Sequence, residues 1–143
     1  MKLKQSITHN QTTEQNKTIL VVEDDDTIRE LVWLTLSEEY HNHVLCAAHV
    51  YEALELVRAT TPDVFLLDYQ LPSMTGIQLY DRLHIMHGFQ HIPAIIMSAN
   101  LPLHELEERN LFGLYKPFDL DELLELVEKA LAVSAREGQG GST

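Results

Sequence analysis

The sequence predicts an α/β fold, a doubly wound parallel sheet of five strands between two layers of helices, three layers in all. Three observations lead there. Five short strand-like segments alternate with segments of helical period, from about residue 18 to residue 133. Several of the strand segments are near-continuous aliphatic runs, the pattern of strands covered on both faces. The connections between them are too short for anything but crossover helices, which makes the neighbouring strands parallel. A chain of 143 residues, 45% of them hydrophobic, is enough for one such domain and too little for two.

Strands are expected at residues 18–23, 43–47, 63–68, Ala94–Ser98 and 112–116. Between the first two, Ile28, Leu31, Val32 and Thr35 share a helical face, with Trp33 expected to add to that packing. Val50, Ala53, Leu54 and Val57 mark a second helix, and Ile77, Tyr80 and Leu83 a third, which Met74-Thr75-Gly76 should open. The last is the clearest, because Leu120, Leu123, Leu124, Val127 and Leu131 follow the 3–4 spacing. Asp119 with Glu122 resembles a capping box at its start. Residues 1–17 are almost all polar and without period, and 134–143 end in a glycine-rich run; both read as flexible tails around a domain at 18–133.

Composition removes whole classes of function. Ten Lys and Arg against 22 Asp and Glu give a formal net charge of −12, a surface that a nucleic-acid duplex repels. Apolar runs reach only five residues, whereas a membrane-spanning helix needs about 20. The lone Cys46 excludes an internal disulfide and reads as a small buried hydrophobe in a reducing compartment. A cytoplasmic protein is therefore expected, with a basic partner or a metal ion as its complement.

In such sheets ligands bind beyond the carboxyl ends of the strands. Those ends carry Glu23-Asp24-Asp25-Asp26, Asp68, Ser98 and Lys116. Taken alone, the acidic run would be a solvated helix cap. Asp68 changes that reading, because it follows Val64-Phe65-Leu66-Leu67 and must emerge from the core beside the other acids. Clustered carboxylates raise one another's pKa unless a cation intervenes, and a hard ion with oxygen ligands, Mg²⁺ or Mn²⁺, is the natural counter-charge.

With Ile19-Leu20-Val21-Val22-Glu23-Asp24, Asp68-Tyr69-Gln70-Leu71-Pro72-Ser73-Met74-Thr75-Gly76, Ile95-Ile96-Met97-Ser98-Ala99 and Lys116-Pro117-Phe118, the chain resembles the receiver domains of two-component response regulators. The intervals of 44 residues from Asp24 to Asp68 and 30 from Asp68 to Ser98 agree. The resemblance implies a flavodoxin-like strand order of 2-1-3-4-5. It also implies that Asp68 accepts a phosphoryl group from a kinase phosphohistidine. Asp24, Asp68 and the backbone carbonyl of Gln70 would be metal ligands, with Glu23 acting through water. Ser98 and Lys116 would each meet a phosphoryl oxygen, and the bond before Pro117 would often be cis. Its implied partners are a sensor histidine kinase or histidine phosphotransfer protein and a downstream protein target, with a homodimer compatible with it and no direct nucleic acid or membrane. The whole would be a stand-alone signalling receiver rather than an enzyme.

The pattern departs from the family in places. Ser98 and Lys116 are 18 residues apart, about one helical turn less than usual, so the fourth helix, around Leu103–Arg109, must be short or partly unwound, with Pro102 near its start, where proline is tolerated. Gly113 stands where receivers tend to carry an aromatic, and Tyr115 should face away from Lys116. Val50 occupies a turn position where glycine is frequent. His84, His87 and His91 read as surface residues. Two rivals remain at this stage: a Mg²⁺-dependent phosphatase of the haloacid dehalogenase type, whose Asp-x-Asp is mimicked by Asp24-Asp25-Asp26, and a degenerate receiver that acts only by contacts.

Overall fold

The computed structural model describes residues 16–40, 43–86 and 88–141. Five strands, β1 (Ile19–Val22), β2 (Val44–Ala47), β3 (Val64–Asp68), β4 (Ala94–Ser98) and β5 (Phe112–Tyr115), form one parallel sheet in the order β2-β1-β3-β4-β5. Between and after them run α1 (Asp26–Tyr40), α2 (Val50–Ala59), α3 (Gly76–His84), α4 (Leu103–Arg109) and α5 (Leu120–Gly141). The expected class, order and alternation are those observed, with strand ends within one residue of the expected bounds.

Alternation along the strands splits the core in two. Leu20, Val22, Phe65, Leu67, Ala94 and Ile96 meet α2, α3 and Leu106 of α4 on one face. Ile19, Val21, Val64, Leu66, Ile95 and Met97 meet α1 and α5 on the other. Burial on both faces is why β1, β3 and β4 read as unbroken aliphatic runs. β2 lies at the sheet edge, and there Cys46 is only half-buried rather than enclosed as expected. Burial still pushes its thiol up to about 11, leaving it protonated and unreactive at neutral pH.

The buried stripe of α1 is Val32, Leu36 and Tyr40, and Leu31 and Trp33 stay exposed. That corrects the expected face: residues 31–34 are all apolar, so the period leaves the helix's rotation open and the 4-residue spacing through Tyr40 decides it. Val50 is the first residue of α2 and buries its side chain, which a glycine could not do. α4 is short as expected, with Pro102 at its N-cap and Asn110 in the left-handed conformation at its end. α5 runs to Gly141, past the expected boundary at 133, and Ser134 is buried. Nothing in Val133-Ser134-Ala135-Arg136-Glu137 breaks a helix. The expected tail at 1–17 lies almost wholly outside the described residues.

Candidate phosphoacceptor site

Four adjacent strands, β1, β3, β4 and β5, deliver the site to one rim of the sheet. β1 and β3 pair in register from Ile19 and Val64, so Glu23 follows Val22 just where Asp68 follows Leu67. Glu23 and Asp68 are buried despite their charge, at 1% and 5% exposure, whereas Asp24 is exposed. One ligand oxygen from each of Glu23, Asp24 and Asp68 lies within 4.8 Å of the others.

Lys116 enters from the residue after β5. Its N–H donates to the Ser98 carbonyl at 3.0 Å, which extends the β4–β5 ladder by one step and fixes where the side chain starts. Its Nζ then donates to Glu23 Oε1 and Asp68 Oδ1, both at 2.9 Å. The peptide bond from Lys116 to Pro117 is cis, and Tyr115 is exposed beside it. Ser98 ends β4 one residue past Met97, the register partner of Asp68, and its Oγ accepts the Asn100 N–H at 3.0 Å. Gln70 is exposed and forms an isolated bridge with Thr75.

The floor of the site depends on Gly76. Its N–H donates to the Tyr69 carbonyl at 2.8 Å, and a Cβ at this position would collide with the Asp68 carbonyl oxygen. Thr75 caps α3 through a full capping box with Gln78. The Met74-Thr75-Gly76 start expected for this helix is therefore the observed one.

Electrostatics follow from the burial. Desolvation pushes the Asp68 carboxyl up to about 6; the Lys116 hydrogen bond opposes this, and the charge of Glu23 and a side-chain hydrogen bond with Asp24 add to it. Burial acts to lower the Lys116 pKa, but its hydrogen bonds to Glu23 and Asp68 outweigh that and raise it. Three carboxylates against one ammonium leave an excess of negative charge. Hard oxygen donors of that charge fit a small divalent cation.

Other expected residues stand apart from the site. His84 stacks on Tyr80 with ring centroids 5.2 Å apart and shares a 3.2 Å hydrogen bond with its hydroxyl, so it is not a free surface residue. His91 is exposed, and His87 lies outside the described residues. Asp26 turns away from the cluster to bind Arg29 at 2.6 Å. Sequence reasoning missed Arg29 as a neighbour of the site, because its partner there is a backbone carbonyl, which leaves no pattern of side chains to detect.

A parallel sheet with acids, a hydroxyl and an ammonium at its carboxyl rim defines a phosphoacceptor signalling domain. The model of the response regulator receiver domain matches residues 19–128, and the chain belongs to that family. It is 33% identical over 124 residues to sporulation initiation phosphotransferase F of Bacillus subtilis, covering 84% of this chain and 98% of that protein. It is 32% identical to the DNA-binding transcriptional regulator NtrC of Proteus hauseri, over 82% of this chain but only 25% of that longer protein. Among solved structures, chemotaxis protein CheY4 of Vibrio cholerae superposes with a TM-score of 0.73 at 26% identity, over 80% of this chain and 98% of CheY4. The receiver domain of NtrX from Brucella abortus gives 0.70 at 29%, with the same coverage of each chain. Receiver domains interact with histidine kinases and downstream effectors. Among the described residues no helix is long and apolar enough to cross a membrane.

Proposed function

We propose that Asp68 accepts a phosphoryl group from the phosphohistidine of a sensor kinase or histidine phosphotransfer protein. An Asp68 carboxylate oxygen forms the new O–P bond as the N–P bond breaks, and the imidazole leaves with that electron pair. The observation that carries this reading is the Lys116 ammonium, held at 2.9 Å from both Glu23 and Asp68 with Asp24 alongside.

Each residue then has a role that its chemistry supports. The transferring group spreads negative charge over its equatorial oxygens, so catalysis is positioning and charge stabilisation. Lys116 pairs with one of those oxygens, and Ser98 donates a hydrogen bond to another. Asp24, Asp68 and the Gln70 backbone carbonyl would hold Mg²⁺ or Mn²⁺, and Glu23 would act on it through water. When bound, the ion neutralises charge on the phosphoryl oxygens. The small Ala99 beside Ser98 leaves the approach open. Phosphorylation biases a two-state arrangement of the loop after β4, and a downstream protein reads the favoured state.

The phosphatase alternative lacks support in the geometry. An Asp-x-Asp enzyme needs Asp26 beside Asp24, and the Asp26 side chain is 89% exposed and paired with Arg29. Intact mass after treatment with acetyl phosphate and Mg²⁺ tests the proposal. One added phosphoryl group is expected on the wild type and none on Asp68→Asn. An unchanged wild-type mass with several donors would favour a receiver that acts only by contacts.

A further inference from the structure

The turn that carries Glu23 and Asp24 out of β1 leaves a hydrogen-bonding problem. Glu23 still pairs with β2 through its N–H, which donates to the Ala47 carbonyl at 3.0 Å. The next ladder bond would bring the His49 N–H to the Glu23 carbonyl, but β2 ends at Ala47 and His49 already caps α2. A carbonyl at such a strand end needs another donor.

Arg29, in the first turn of α1, supplies it. Its Nη1 donates to the Glu23 carbonyl at 2.9 Å and its Nη2 to Asp26 Oδ1 at 2.6 Å. One planar group thus grips the chain on both sides of Asp24. Within the span, the Asp25 N–H donates to Glu23 Oε2 at 3.1 Å, and Asp25 Oδ1 accepts the Ile28 N–H at 2.9 Å. The turn is tied at its ends by Arg29 and in its middle by Asp25. The Asp24 side chain makes none of the hydrogen bonds that tie the turn; it meets Asp68 instead, so where that meeting falls depends on the backbone that carries it.

We infer that Arg29 is a positioning residue of the phosphoacceptor cluster: it holds the turn from Glu23 to Asp26 so that the Asp24 carboxylate stays beside Asp68, and thereby sets the affinity of the cluster for a divalent cation. This rests on the proposed metal site. A guanidinium suits the task because its rigid fork serves two acceptors at once, whereas an ammonium on a flexible stem serves them less well. The pairing of Arg29 with Asp26, three residues apart on a helix, contributes little by itself. The bond to the strand-end carbonyl is what couples the helix to the cluster.

Mn²⁺ titration of the full chain, followed by loss of the free ion's paramagnetic resonance signal, tests this with a readout independent of phosphorylation. Wild type is expected to bind saturably and Asp24→Asn to lose most of that affinity; if wild type does not bind, the metal reading falls and this inference with it. With wild-type binding established, Arg29→Ala is expected to weaken it about tenfold, the usual effect of removing a group that orients a ligand. Arg29→Lys is expected to lose roughly threefold. Wild-type affinity in a folded Arg29→Ala, even with a lower unfolding midpoint, overturns the inference and leaves Arg29 a structural staple. Should Arg29→Ala fail to fold, Arg29→Lys decides by the same criterion, weakened binding supporting the role and unchanged binding overturning it.

Discussion

At the scale of single residues, burial and shared hydrogen bonds set how the site titrates. Asp68 is buried, and its carboxyl is raised to about 6 although Lys116 lies 2.9 Å away. A carboxyl whose folded pKa exceeds its unfolded one favours folding below the unfolded value of about 3.9, and that contribution is lost as pH rises through about 6. Metal-free protein should therefore lose stability from this group between about pH 4 and 6. Linkage sets an upper limit near 3 kcal/mol, which solvent screening at the open rim reduces to about 1 kcal/mol. Urea denaturation in the presence of a chelator should show this slope in wild type and not in Asp68→Asn; parallel pH profiles would contradict the assignment. The ligand roles separate in the same way. Mg²⁺ binding should weaken sharply in Asp24→Asn and little in Asp26→Asn, whose side chain points to Arg29 instead; equal losses in a titration would mean the ligands are misassigned. Asp68 was legible in the sequence because a polar residue directly after an aliphatic strand has only the rim to go to, whereas Lys116, after the half-buried Phe112-Gly113-Leu114-Tyr115, was legible only in conjunction with the other strand-end residues. Arg29 was not, since its acceptor is main chain.

At the scale of elements, the seam between β5 and α4 shows how this chain departs from its family. Gly113 stands where an aromatic is common, and the space above it is filled from outside the strand. A Cβ built on Gly113 would lie 2.7 Å from Leu101 Cδ1 and 2.9 Å from Leu106 Cδ1. Both leucines are buried, at 8% and 5% exposure. Leu101 comes from the loop that begins at Ser98, and Leu106 from α4 itself, so two aliphatic tips close the shortened segment over the glycine. Gly113→Ala should cost about 1–2 kcal/mol by overpacking. Leu101→Ala should cost less in that background than in wild type, because the two changes share one space. A double-mutant cycle by chemical denaturation measures the coupling, and strict additivity would show that the tips do not meet the strand. Glycine at this position was plain in the sequence, but its reason was not, because the filling residues lie seven and twelve positions upstream. Helix positions were legible for α2, α3 and α5, where polar residues bound the apolar stripe, whereas α4, with only Leu106 buried, followed from the short interval between Ser98 and Lys116. The rotation of α1 was not, because its run of four apolar residues fits more than one face.

At the scale of the molecule, the surplus of acidic charge acts on the fold. The formal net charge is −12, and the acids are not spread evenly. Glu39, Asp121, Glu125 and Glu128 line one cavity of about 340 Å³ between α1 and α5, with no cation in that lining. The attractive pairs are fewer and mostly exposed, such as Arg58–Glu55 and His104–Glu108, and pairs of that kind contribute little. The bidentate Arg109–Asp81 bridge between α3 and α4, at 2.8 and 3.0 Å, is the strongest of them outside the phosphoacceptor site. Net repulsion should therefore dominate the long-range electrostatics of the compact state. Raising the ionic strength shortens the screening length from about 30 Å at 0.01 M to about 3 Å at 1 M, which weakens distant repulsion more than contact pairs. The folded state should gain about 1 kcal/mol over that range. Thermal unfolding in a chelator with a monovalent salt isolates this effect from occupancy of the acidic site, and the midpoint should rise with salt. A falling midpoint would mean that the ion pairs, Arg109–Asp81 and the Lys116 bridge foremost, outweigh the surplus of acids. In that case Arg109→Ala should abolish much of the salt dependence, whereas under repulsion it should leave the slope unchanged or steeper.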